Sequence, residues 1–254
     1  MFNSLPNPVL IAHRGASAHA PENTLPAFHL AISQGAPAIE LDVQLSADGK
    51  VVVFHDFTVS RTTNGSGRIQ RKTLGQLKTL NAGTSFGTAY PDSKIPTLEE
   101  VFNDVDPAIF MNIELKNIIS PFDSLPKKVA ELIQKYQAVN RVLISSFNPV
   151  ALSRMYRHLS SVPRELLLHK PAHIDLCLLF PSLISDVQTI STSLAFITEY
   201  RVNALHDLGK KVYAYTLNYP ADILHALKCG VDGFFTDDPV LGLRTLSMSG
   251  YNNK

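Results

Sequence analysis

Four clusters of ionisable residues each close a short apolar run. Val9-Leu10-Ile11-Ala12 is followed by His13-Arg14, and Ala38-Ile39 by Glu40-Leu41-Asp42. Val51-Val52-Val53-Phe54 leads into His55-Asp56, and Phe110-Met111-Asn112-Ile113 into Glu114-Leu115-Lys116. Side chains alternate between the faces of a strand, so Glu40 and Asp42 share one side, as do Glu114 and Lys116. Leu41 and Leu115 then face the opposite way. Three carboxylates converging with little water between them repel strongly unless a cation neutralises them. An all-oxygen ligand set suits a hard divalent ion. Arg14 and Lys116 add positive charge of the kind that holds a phosphate. His13 and His55 each end an apolar run beside another charged residue, and a histidine pair is suited to acid–base work near neutral pH. The combination points to metal-assisted phosphoester chemistry.

Such a site needs strands that deliver all four clusters to one rim. Eight apolar runs read as strands: Val9–Ala12, Ala38–Val43, Ile109–Leu115, Val142–Ser145, Glu165–Leu168, Thr189–Thr192, Val212–Thr216 and Gly233–Thr236. Helical patterns lie between most of them, including Thr24–Gln34, Ser124–Tyr136, Ile197–Leu208 and Ala221–Leu227. Strands alternating with helices predict parallel βαβ units, and eight units predict a closed barrel, the TIM (β/α)₈ barrel. The catalytic face of such a barrel is the C-terminal end of its strands, where the charges fall. An open doubly wound sheet is the competing fold. It would want a glycine-rich loop after the first strand, and His13-Arg14-Gly15-Ala16-Ser17 has one glycine.

From Asp56 to Pro96 the sequence is polar and rich in Gly, Thr and Asn, as in Arg61-Thr62-Thr63-Asn64-Gly65-Ser66-Gly67. It is too long for an ordinary βα loop. Lys50–Phe54 reads as an extra strand entered through the Asp48-Gly49 turn. The expected organisation is one catalytic barrel over residues 1–254, with a small subdomain at 56–96 inserted between the second and third βα units.

The 254 residues carry 23 basic and 22 acidic side chains, so no field of one sign suggests nucleic acid as a partner. No long apolar stretch suggests a membrane span. The N-terminus lacks the charged and apolar regions of a secretory signal, so a cytoplasmic enzyme is expected. Cys177 and Cys229 sit in apolar contexts and read as buried free thiols. His29, His158, His169, His173, His206 and His225 have no companion group in sequence and read as structural. His19 lies in the first βα loop, within reach of the mouth.

At these residues the chain resembles the glycerophosphodiester phosphodiesterase family. The resemblance is carried by His13-Arg14-Gly15-Ala16, Pro21-Glu22-Asn23-Thr24, Glu40-Leu41-Asp42-Val43, His55-Asp56, the Arg61–Gly67 segment, Ile95–Glu100 and Asn112–Lys116. Ser145-Ser146-Phe147, Thr216-Leu217-Asn218 and Gly230–Asp237 continue it. It implies His13 and His55 as the acid–base pair, and Glu40, Asp42 and Glu114 as ligands of Mg²⁺ or Ca²⁺. It implies Arg14 and Lys116 on the phosphate, and glycerol 3-phosphate and an alcohol as products. Members often carry a Trp shortly before the Thr-x-Asn motif; here Tyr215 stands there, expected to contact the glycerol. The implied partner is a small glycerophosphodiester, and a homodimer is the assembly to test. Two alternatives remain open: a phospholipase-D-like lyase on the same barrel, and a phosphoester-binding protein without activity.

Overall fold

The computed structural model describes residues 5–250. In chain order the strands are β1 (Val9–Ala12), β2 (Ala38–Leu45), β3 (Val51–Val53), β4 (Phe110–Leu115), β5 (Val142–Ser146), β6 (Arg164–Leu168), β7 (Thr189–Ser193), β8 (Lys211–Tyr215) and β9 (Gly233–Thr236). All except β3 pair in parallel, in the order β1-β9-β8-β7-β6-β5-β4-β2, and β2 returns to β1 to close a TIM barrel. Each of the eight strands read from the sequence is present, two with the expected ends and six with one or both ends moved by one or two residues. The open doubly wound sheet is excluded by the closure.

The helices are α1 (Leu25–Ser33), α2 (Leu74–Lys78), α3 (Leu98–Asp104), α4 (Leu125–Lys135), α5 (Pro149–His158), α6 (Pro171–Leu179), α7 (Glu199–Asp207), α8 (Pro220–Lys228) and α9 (Pro239–Met248). Local chemistry starts them. Thr24, Thr73, Thr97, Asn148, Thr198 and Asp238 cap α1, α2, α3, α5, α7 and α9 by accepting from a backbone N–H of the first turn. Proline stands at the first or second position of α5, α6, α8 and α9, where its missing N–H removes no helical bond. Among the described residues no helix is long and apolar enough to cross a membrane.

Alternation splits each barrel strand between two cores. Leu10, Ile39, Leu41, Ile113, Leu115 and Phe234 face the helices in one continuous apolar cluster. Val9, Ile11, Ala38, Leu143, Tyr213 and Phe235 fill the interior. Leu41 and Leu115 therefore face outward as the alternation requires, which turns Glu40, Asp42 and Glu114 inward. Cys177 and Cys229 are free and buried, as expected.

β3 runs antiparallel to β2, pairing Val53 with Val43 and Val51 with Leu45. The segment that follows includes α2 and packs a separate small cluster of Val52, Phe54, Val59, Ile69, Leu77, Ala82 and Ile95. The chain then returns to the barrel through α3.

One interior carboxyl lies away from the rim. Glu165 is 0% exposed and accepts from Ser191 Oγ and Asn112 Nδ2. Ser145 Oγ donates in turn to Asn112 Oδ1 at 2.6 Å. The chain of bonds ties β4, β5, β6 and β7 together. Burial pushes the Glu165 carboxyl from 4.5 up to about 7, against these two hydrogen bonds. Below about pH 4.5 the group is protonated in both the folded and unfolded chain, and burial carries no ionisation penalty. As pH rises to about 7 the unfolded chain ionises while the folded one resists, so stability falls across that window. Glu165→Gln keeps an acceptor for Asn112 and removes the titration. At pH 8 or so it is expected to be more stable than wild type by about 3 kcal/mol, with no such gain near pH 4. Denaturant unfolding of both proteins across this range checks it; parallel stability curves would refute the assignment.

Candidate active site

β2 and β4 are neighbours, and their register sets Asp42 beside Glu114 and Glu40 beside Asn112. One ligand oxygen from each of Glu40, Asp42 and Glu114 lies within 4.8 Å of the others, and all three side chains are buried. Glu40 and Glu114 line a cavity of about 170 Å³ with His13, Arg14, His55 and Lys116. Asp42, 1% exposed, lies just behind them. Phe147, Leu167, Tyr215 and Phe235 form the apolar wall of the same cavity. The structure thus brings together every residue assigned from the sequence: His13, Arg14, Glu40, Asp42, His55, Glu114, Lys116 and Tyr215. His19 is not among them. It faces Asp238 across 3.1 Å and lines a separate groove of about 840 Å³ along α8 and α9.

The loop after β1 is built around backbone positions that favour glycine. Arg14 has φ 56° and Gly15 φ 84°. A Cβ on Gly15 would sit 2.6 Å from the Ala27 carbonyl carbon, so only glycine lets the loop pack on α1. The Arg14 conformation aims its N–H at Glu40 Oε2 (2.9 Å), while its side chain reaches Glu22 (3.0 Å) and Asp42 (3.2 Å). Asn23, also at positive φ (58°), clamps Asp42 from both ends: Nδ2 donates to Asp42 Oδ2 and Oδ1 accepts from the Asp42 N–H.

His55 arrives by a different route from the other clusters. β3 is antiparallel, so its C-terminal end is not a barrel rim. The β2–β3 hairpin folds back instead, and the Phe54 N–H donates to the Asp42 carbonyl at 2.8 Å. Buried Gln44 then fixes the turn, its Nε2 donating to the carbonyls of Phe54, His55 and Asp56. The expected location is right, but it comes from the hairpin rather than from a strand end.

Each site histidine is oriented by a carboxylate. His13 Nδ1 is 2.7 Å from Asp237 Oδ1, and His55 Nδ1 is 2.6 Å from Asp56 Oδ1. With Nδ1 engaged, Nε2 is the nitrogen left for proton transfer. Burial pushes the Asp237 carboxyl up, but hydrogen bonds from His13, Asn218 and Ser17 outweigh it and hold it at about 2. Burial moves the His55 imidazole below its ordinary range; Asp42 opposes this, and Lys116 and Arg14 reinforce it.

The acidic cluster behaves as an incomplete ion site. Burial, then the neighbouring Asp42 charge, pushes Glu40 well above the carboxylate range. Burial raises Glu114 to about 7 although Lys116, 3.0 Å away, pulls it down. Asp42 stays ionised because Lys116 and Arg14 outweigh its burial. Its Oδ1 is buried and accepts no hydrogen bond; the nearest cation is Lys116 Nζ at 3.6 Å. A buried acceptor without a donor is costly. Oxygen ligands at about 2.3–2.6 Å from one hard cation lie up to about 5 Å apart, so the three carboxylates fit such an ion.

Several residues of the site had no role assigned from the sequence: Glu22, Asn23, Asp56, Arg61, Asn218 and Asp237. All six stand inside the quoted motifs. Asp237 was reachable by alternation, since Phe235 faces the interior and Asp237 lies two residues on. Asp56 was reachable as the neighbour of His55. Nothing local marks Glu22 or Arg61, whose partners lie on other loops.

Charged groups gathered at the C-terminal rim of eight parallel strands define a (β/α)₈-barrel enzyme, and their chemistry is that of a hydrolase of phosphoric diesters. Over residues 13–241 the sequence matches the glycerophosphoryl diester phosphodiesterase family, and the chain belongs to that family. It is 39% identical over 236 residues to a glycerophosphodiester phosphodiesterase of Caldanaerobacter subterraneus subsp. tengcongensis, covering 91% of this chain and 94% of that one. A Bacillus subtilis glycerophosphodiester phosphodiesterase is 30% identical over 249 residues, covering 91% of this chain and 84% of its own length. Among solved structures, an Oleispira antarctica phosphodiesterase in complex with the product sn-glycerol-3-phosphate superposes with a TM-score of 0.87 at 32% identity, covering 95% of this chain and 97% of that chain.

The acidic cluster makes a prediction independent of turnover. A divalent ion at about 100 times its dissociation constant should stabilise the wild type by about 2.7 kcal/mol, or roughly 5–10 °C in melting temperature. Glu40→Gln should lose this response. Without metal it should melt no lower than wild type, because burial and the Asp42 charge already disfavour an ionised Glu40, and the neutral amide carries no such penalty. An undiminished metal response in Glu40→Gln would show that the ion binds elsewhere.

Proposed function

We propose that the protein is a divalent-metal-dependent glycerophosphodiester phosphodiesterase, releasing glycerol 3-phosphate and an alcohol, with His13 and His55 as its acid–base pair. The observation that carries this reading is the pair of histidines, each held at Nδ1 by a carboxylate, in one cavity with Glu40 and Glu114 and with Asp42 just behind. The product-bound relative supports the choice of glycerol 3-phosphate. The cavity, at about 170 Å³, suits a glycerol phosphate, leaving the alcohol to project toward the mouth.

Glu40, Asp42 and Glu114 would hold Mg²⁺ or Ca²⁺, which when bound polarises the phosphoryl oxygens and offsets charge in the transition state. Arg14 and Lys116 bind the phosphate oxygens. Both are fixed in advance, Arg14 by Glu22 and Lys116 by Glu114, so little reorganises on binding. His55, lowered by burial, is the base that takes a proton from the attacking oxygen, of water directly or of the substrate's own 2-hydroxyl. In the second case the first product is a cyclic phosphate, and attack by water then breaks the bond to the 2-oxygen, which regains its proton, to give glycerol 3-phosphate. The bond from phosphorus to that oxygen forms as the bond to the alcohol oxygen breaks. His13 gives the alcohol its proton, and the Asp237 carboxylate is the counter-charge for the His13 imidazolium.

Tyr215 presents its ring to the glycerol rather than its hydroxyl. The hydroxyl donates to the Leu168 carbonyl at 2.8 Å, and the ring meets Phe147 edge-on at 6.1 Å. Balanced surface charge and a small polar substrate fit a cytoplasmic enzyme.

A panel of glycerophosphodiesters with coupled detection of glycerol 3-phosphate tests the assignment. Turnover is expected with divalent metal and not in excess EDTA; full turnover in metal-free enzyme would defeat the metal requirement. His13→Ala and His55→Ala should each lower kcat by at least about 10²-fold with the fold intact. Near-wild-type rates in either would remove that histidine from the chemistry. Tyr215→Ala should raise KM for glycerol-based diesters more than for bis(p-nitrophenyl) phosphate, which has no glycerol. An equal effect on both substrates would count against glycerol stacking.

A further inference from the structure

The inserted segment reaches the site through a guanidinium. Arg61, in the loop beyond β3, makes four hydrogen bonds to two carboxylates. Its Nε donates to Asp56 Oδ2 at 2.6 Å and its Nη2 to Asp56 Oδ1 at 3.0 Å. Its Nη1 donates to Glu22 Oε2 and its Nη2 to Glu22 Oε1, both at 2.7 Å. Each carboxylate also holds a group of the site. Asp56 Oδ1 is 2.6 Å from Nδ1 of His55, and Glu22 Oε1 accepts from Nη1 of Arg14 at 3.0 Å. A guanidinium is a rigid planar fork, so it fixes the two carboxylates relative to one another, and lysine cannot replace it in that geometry.

We propose that Arg61 is a positioning residue of the phosphodiester reaction, setting the imidazole of His55 and the guanidinium of Arg14 in mutual register through Asp56 and Glu22. The proposal rests on the roles of His55 and Arg14 given above. Two observations separate it from a merely structural role. The side chain is 48% exposed, so solvent weakens what its ion pairs add to stability, although a two-pronged grip on a carboxylate retains more than an ordinary surface pair. The backbone of the turn is already held by Gln44 from β2, and the inserted segment has its own apolar cluster. Without Arg61 the turn stays in place, but the Asp56 side chain is free to rotate and His55 loses its fixed orientation. Glu22 is then free to engage Arg14 with both oxygens and draw it from the phosphate. The first effect lowers kcat and the second raises KM.

The test measures kcat and KM on a glycerophosphodiester at saturating divalent metal for wild type, Arg61→Ala and Arg61→Lys, with melting temperatures alongside. Arg61→Ala should lose about tenfold or more in kcat, the scale of a misplaced catalytic group, with a rise in KM. Arg61→Lys keeps the charge without the fork and should recover only part. Millimolar guanidinium, far below denaturing levels, should restore kcat in Arg61→Ala and not in His55→Ala. A second arm needs no substrate: the His55 Nδ1–H resonance should be sharp and far downfield in wild type and shift or broaden in Arg61→Ala. Kinetics within about twofold of wild type in both variants, with an unchanged resonance, would overturn the proposal. So would a loss of activity that follows the melting temperature alone. A wild type inactive on every diester would defeat the proposed function instead, and the resonance would still decide whether Arg61 orients His55.

Discussion

Repulsion among three buried carboxylates organises this end of the barrel. Asp42 and Glu114 are cross-strand neighbours, and Glu40 lies one inward position below Asp42 on the same strand. Like charges so placed are destabilising, and an interior of low dielectric strengthens the effect. The surrounding residues answer it from several directions. Arg14 approaches from β1 and Lys116 from β4. Asn23 donates to Asp42, and the Arg14 backbone N–H donates to Glu40. Even so, burial and the Asp42 charge push Glu40 well above the carboxylate range, burial raises Glu114 to about 7, and Asp42 Oδ1 still has no donor. A divalent ion, as proposed above, would relieve that repulsion and give the orphaned oxygen a partner.

Placing those donors requires backbone that most residues avoid. Arg14 and Asn23 both adopt positive φ, which is uncommon outside glycine. They are joined by a hydrogen bond from the Asn23 N–H to the Arg14 carbonyl at 3.0 Å. The loop between them therefore turns tightly enough to bring one donor to Glu40 and another to Asp42. Strain of this kind persists where the surrounding structure over-determines it. Here the restraint is the contact of Gly15 with Ala27, which seats the loop on α1.

The parts of this design that follow from local alternation are legible in the sequence. Glu40, Asp42, Glu114 and Lys116 lie on regular strands, so period 2 places them on the inner face before any contact is known. The barrel itself follows from eight strand–helix repeats. Groups whose partners come from far along the chain are not legible in this way. His13 and Asp237 are 224 positions apart and meet only because β9 pairs with β1 when the ring closes. Glu165 is another case. Its neighbours Arg164 and Leu166 give no sign that it faces inward, and its partners Asn112 and Ser191 come from β4 and β7. His55 shows the intermediate situation, a correct location reached through a hairpin that strand-end reasoning does not describe.

The same distinction explains why the insertion lies where it does. A βα loop after β2 could have crossed directly to α3. Instead the chain first doubles back as β3, which is the only way a residue beyond β2 can return to the level of Asp42 on the same side of the sheet. That return places His55 on the edge of β2 that also carries β1, so His55 and His13 line one cavity from two different loops. The roles proposed for the two histidines serve an entering and a leaving oxygen that stand roughly in line. The β2–β3 hairpin carries one of these histidines and the loop after β1 the other; Gln44 holds the hairpin's turn, and Val52 and Phe54 of the hairpin join the small core of the inserted segment.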